Sequence, residues 1–141
     1  MMRAVLAASF AVLLASCAME MRSPVTGKIG GDVAFGYSTA RLQGESTFTV
    51  DTKSGLRCDG VYDASSGNRV IQAETKCNDG RTGIITIVRK EAGFGGTATG
   101  ALSDGTKGQF VFGKDVRYED EFPGPDQTAN RPPKPLPAQK R

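Results

Sequence analysis

Seventeen of the eighteen glycines fall between Gly27 and Gly113, set among short runs rich in β-branched and aromatic residues. The runs are 32–37, 46–51, 57–63, 69–75, 83–89, 95–102 and 109–112. Ser46-Thr47-Phe48-Thr49-Val50-Asp51 and Gln109-Phe110-Val111-Phe112 alternate with the period of two that a half-buried strand needs. Ile84-Ile85-Thr86-Ile87-Val88 is more continuously apolar, which marks it as the candidate central strand. Ser65-Ser66-Gly67-Asn68, Asn78-Asp79-Gly80-Arg81 and Ser103-Asp104-Gly105-Thr106 supply residues that tolerate positive φ between strand-like runs. No stretch beyond the first sixteen residues has a 3.6-residue apolar period. The expectation is an all-β fold: a small antiparallel meander, barrel or sandwich of about six to seven short strands.

Those first sixteen residues have a different order. Arg3 is followed by an apolar run, 4–15, and then by small residues. Twelve residues make about 18 Å of helix, short of the ~30 Å hydrocarbon core that a permanent span must cross. The run therefore reads as a secretory signal.

Leu14-Ala15-Ser16-Cys17 resembles the lipobox of bacterial lipoproteins at every position. The resemblance implies a diacylglycerol on the Cys17 thiol, cleavage between Ser16 and Cys17, and often a further acyl chain such as palmitate on the new amino group. Two or three chains hold a protein stably at a membrane where one does not. Residue 18 is Ala and not Asp, which in a Gram-negative cell implies passage to the periplasmic side of the outer membrane. With its Gly-rich β body and the turn Cys77-Asn78-Asp79-Gly80-Arg81-Thr82-Gly83, the chain is also similar to small lipoproteins of Gram-negative envelopes.

Once Cys17 is given to lipid, Cys58 and Cys77 remain as a pair in an oxidising compartment, and an even remainder argues for a disulfide. It would close a loop of about twenty residues, worth about 3 kcal/mol on the loop-entropy estimate. The alternative is a redox or metal-binding pair. Their spacing is far from Cys-x-x-Cys, and with no histidine in the chain zinc would need carboxylates or a second chain.

The absence of histidine also excludes Ser-His and Cys-His nucleophile arrangements. Asp59, Asp63, Glu74 and Asp79 fall near the cysteine pair, and two of them could serve as acid and base if held about 5 to 10 Å apart across a substrate; the plainer reading is turn formers and solvent-facing strand residues. The stretch 93–100 is glycine-rich, yet it lacks the Gly-Lys-Ser/Thr ending of a phosphate loop and reads as a strand that neighbours approach closely. No calcium-loop spacing occurs. Catalytic residues, a metal and a cofactor are accordingly not expected. Seventeen basic against fifteen acidic residues after cleavage, without tryptophan, implies no nucleic-acid partner.

The expected organisation is a signal peptide over 1–16, a lipidated tether over 17–28, a β domain over 29–113, and an acidic then Pro-rich basic tail over 114–141, disordered because it cannot bury enough apolar surface to fold. The leading expectation is a non-enzymatic envelope lipoprotein, structural or a binding module, held to the membrane through Cys17, with an envelope protein or the cell wall as its candidate partner. Alternatives are an accessory or inhibitor subunit of an envelope machine, marked by an exposed apolar edge or patch, and a carboxylate-dependent glycan-acting enzyme, which needs a cleft presenting two of the named acids.

Overall fold

The computed structural model describes residues 19–91 and 95–125; the expected signal peptide, Cys17 and the tail beyond residue 125 lie outside the described residues. Eight strands follow one another: β1 (Glu20–Ile29), β2 (Asp32–Arg41), β3 (Ser46–Thr52), β4 (Arg57–Tyr62), β5 (Val70–Cys77), β6 (Thr82–Arg89), β7 (Gly96–Leu102) and β8 (Lys107–Phe112). Each pairs antiparallel with the next, and β1 pairs with β8 from Val25↔Phe112 to Ile29↔Gly108, so the meander closes into a barrel.

The all-β expectation holds, with eight strands in place of six to seven. The added strand is β1, which occupies most of the stretch expected to be a tether and moves the start of the domain from residue 29 to Glu20. Pro24 masked it, since proline removes a ladder donor and argues against a strand interior. Here it sits beyond the last β1–β8 pair, where its carbonyl accepts the Gly113 N–H at 3.1 Å, so only one bond at the end of a ladder is lost.

Alternation decides which side chains go inside. Val25, Ile29, Phe48, Val50, Ile71, Ile85, Ile87 and Phe110 form the buried core. Arg22, Lys28, Asp59, Glu74 and Lys76 stay on the outer face. That face also carries the exposed Val33, Phe35, Tyr37, Val61, Val70 and Ile84, and no helix among the described residues is long and apolar enough to cross a membrane. Ile84 to Val88 is not a central strand, because a closed barrel has none. Ile85 and Ile87 point inward, while Ile84 is 56% exposed.

Glycines on the inner face make room for the large rings. A methyl group at Gly60 would collide with the Phe48 ring, one at Gly96 with Phe112, and one at Gly108 with Phe110. On β7, Gly96 and Gly100 also let the β6 carbonyls of Val88 and Ile84 come close, as the glycine-rich stretch led one to expect.

The two ends of the barrel differ. One end is closed by four tight turns, each with a positive-φ glycine: Gly30, Gly55, Gly80 and Gly105. Just inside it, Cys58 and Cys77 face each other across β4 and β5 and form the expected disulfide, both buried. At the other end the 42–45 connection is as short as the closed-end turns, but 63–69 and 90–95 are longer, and this end of the barrel is open. Val111 alternates to the outside yet is only 1% exposed. It lies beside the segment after β8, in which a helical turn, α1 (Tyr118–Glu121), is held by Tyr118 O–H donating to Gln109 Oε1 at 3.2 Å and by Lys90 pairing with Glu121. The tail expected from residue 114 is thus ordered at least this far.

Replacing both Cys58 and Cys77 by Ala should cost about 3 kcal/mol and lower the melting temperature by several degrees. Calorimetry checks this, and an unchanged midpoint would show that strand pairing alone holds that end.

Arg81 ties two closed-end turns together, through Nε to Asp79 Oδ2 at 2.7 Å and Nη1 to Asp104 Oδ2 at 2.8 Å. Asp104 also accepts the Thr106 backbone N–H at 2.9 Å. Its bonds to Thr106 first, and Arg81 after them, hold its pKa down to about 2. A folded value below the unfolded ~3.9 means that this stabilisation is complete above about pH 4 and is lost as pH falls toward 2. In Asp104→Asn the melting temperature should therefore fall less steeply across that window than in the parent; parallel curves would reject the assignment.

Candidate functional site

In the open half of the barrel the inward side chains stop short of meeting across the interior, whereas in the closed half inward glycines let rings and neighbouring backbone close the space. Ser23 from β1, Ser38 and Ala40 from β2, and Ala98 from β7 border a space that no side chain of the described residues occupies. An eight-stranded barrel has an interior just wide enough to be filled by side chains or to hold one small ligand. This one is filled at one end and empty at the other. The cavity has a volume of about 630 Å³, within the roughly 300–1,000 Å³ of small-molecule sites. Phe48, Val50 and Phe110 line its deep end, and Val25, Ile71, Ile85 and Ile87 its walls.

Polar groups are few and gather toward the mouth. Ser38 Oγ and Tyr62 Oη lie 2.6 Å apart, one hydroxyl donating to the other. Arg89, last residue of β6, turns its guanidinium to the 63–69 connection and donates to the carbonyls of Ala64, at 3.0 Å, and Asn68. This connection begins with a 3₁₀ turn, Ala64–Ser66, capped by Asp63 accepting the Ser65 N–H at 2.9 Å, and turns out of it at Gly67 with φ 68°. Three ion pairs stand around the mouth: Arg41 with Glu20 at 3.1 Å, Arg69 with Glu91 at 2.6 Å, and Lys90 with Glu121. All are exposed enough to add little stability; their effect is to balance the charge of the rim. Met19 and Leu42, 68% and 67% exposed, complete it with apolar surface.

None of the carboxylates picked out in the sequence lines this cavity. Asp59 points outward and accepts from Thr49 Oγ1 at 2.6 Å. Glu74 is exposed on the outer face of β5, beside Val61 and Ile84. Hydrogen bonds from the Ser65 side chain hold the Asp63 carboxyl below the ordinary carboxylate range, and the Arg81 backbone N–H does the same for Asp79. These shifts run opposite to what a proton donor near neutrality needs. Among the described residues, no three His, Cys, Asp or Glu side chains stand together in a way that could hold a metal ion. Cys58 and Cys77 lie below the cavity floor, and Cys17 lies outside the described residues.

The cavity was not foreseen. Small inward residues do not mark it in the sequence, because Gly36, Gly60, Gly100 and Gly108 are also inward and their space is taken by rings or neighbouring backbone. No protein-family model, curated protein or solved structure matches this chain.

Ala98→Phe places a ring in the cavity from a wall position. Since the ring enters space already empty, the melting temperature should stay close to the parent's while uptake of a hydrophobic dye such as anilinonaphthalene sulfonate drops at least several-fold. Undiminished dye binding would mean that the dye sits elsewhere.

Proposed function

We propose that this chain is a lipid-anchored, non-enzymatic binding protein of the bacterial cell envelope, on the periplasmic side of the outer membrane, whose barrel takes up one apolar molecule through its open end. The observation that carries the reading is the apolar cavity of about 630 Å³. Closely packed interiors rarely leave a space this large, and its few polar groups sit near the mouth, where they would orient one end of a guest. The lipobox at Leu14 to Cys17 supports the location.

An accessory or inhibitor subunit is the second reading, favoured by Val33, Phe35 and Tyr37, which are 42%, 49% and 52% exposed in a row on the outer face of β2. Phe35→Ser with Tyr37→Ser would abolish partner capture on that reading and leave cavity binding unchanged.

Metabolic labelling with a fatty-acid analogue should mark the parent protein and leave Cys17→Ser unmarked; equal labelling would remove the anchor from the proposal. Mass spectrometry of organic extracts of the purified protein should show a stoichiometric apolar molecule, depleted in Ala98→Phe. An extract with none, together with no saturable uptake of added apolar compounds, would defeat the binding role.

A further inference from the structure

We propose that the open end of the barrel is docked on the bilayer that carries the anchor, so that the cavity opens into membrane and takes an acyl chain from it. This rests on lipidation at Cys17.

Chain length argues first. β1 begins at Glu20, and Met19, the residue before it, lines the cavity mouth. The two steps from Cys17 to Met19 span at most about 7 Å. A tether of ten or more residues would let the barrel tumble at a distance; one of two residues holds the mouth at the level of the lipid headgroups. Strand register then places Leu42 beside Met19, since Glu20 pairs with Arg41 immediately before them. Both side chains are about two thirds exposed. They are the apolar contacts a bilayer would cover.

Charge distinguishes the two ends. At the open end Arg41, Arg69 and Lys90 are each matched by a carboxylate, so the rim approaches a bilayer with little net charge. Among the described residues, the closed end presents Asp32, Lys53, Asn78, Asp79, Arg81 and Asp104 and no large exposed apolar side chain apart from Val33 at its margin. Docking driven by the anchor and two apolar residues should withstand high salt, unlike adhesion of a basic patch, which weakens as the Debye length shrinks to about 3 Å at 1 M.

The chain has no tryptophan, so a single introduced one reports its own position. Lipidated full-length Leu42→Trp and Lys53→Trp are reconstituted into vesicles of phosphatidylcholine brominated on the acyl chains, with Met19→Trp as a second rim reporter should Leu42→Trp fold poorly. Rim tryptophans should be quenched several-fold more than Trp at position 53, in low salt and at high salt alike. Equal quenching of both ends, or none at either while the protein still floats with the vesicles, would overturn the docking. Failure to float, with no diacylglyceryl mass on Cys17, would overturn the anchor and the docking with it. Quenching of the rim that vanishes in high salt would show electrostatic adhesion in place of the apolar contact proposed.

Discussion

What the inside of a closed barrel contains is set by the alternate residues on eight strands, and here the two halves of the interior are filled differently. Phe48 and Phe110, at the floor of the cavity, lie against Gly60 and Gly108, where only a missing side chain leaves room for a ring, and the disulfide lies beneath. Above that floor the side chains of the open half do not fill the interior. Because the backbone of a barrel cannot collapse inward without breaking its ladders, the shortfall in side-chain volume there persists as a cavity.

That unevenness gives the molecule a direction. Tight glycine turns, the Asp79–Arg81–Asp104 network and the disulfide stiffen one end. The longer 63–69 and 90–95 connections leave the other accessible, with the 63–69 connection steadied by Arg89. The chain enters at the accessible end, so the shortness of the link to Cys17 and the position of the mouth are one geometric fact viewed from two sides.

The parts of the fold that local chemistry specifies were legible in the sequence. Gly67, Gly80 and Gly105 adopt positive φ in three turns that were expected there, and Cys58 and Cys77 pair. Strands bounded by such turns were placed to within a few residues. β1 was obscured because Pro24 and Gly27 read as loop residues, although Met21, Ser23, Val25 and Ile29 alternate with Arg22, Thr26 and Lys28. What rescues Pro24 is its place at the end of a ladder with β8, a long-range relation invisible to any local window. The same holds for α1, where the four residues Tyr118–Glu121 could not form a stable helix alone and are fixed by Gln109 and Lys90. A cavity is the least legible feature of all, being a sum of absences over several strands.

Closure of the barrel also imposes an order in time. Seven of its eight pairings join consecutive strands through short connections and can form as the chain emerges, whereas β1 must wait for β8. Until the last strand is delivered, both β1 and the most recent strand to emerge are open edges able to pair with other chains. Closing the largest loop in the domain adds only a slowly growing entropic cost, but it sets the final step. A chain fixed near β1 and delivered from its N-terminal end would hold one open edge beside its anchor for the whole of export, and would lose both edges together when β8 arrives.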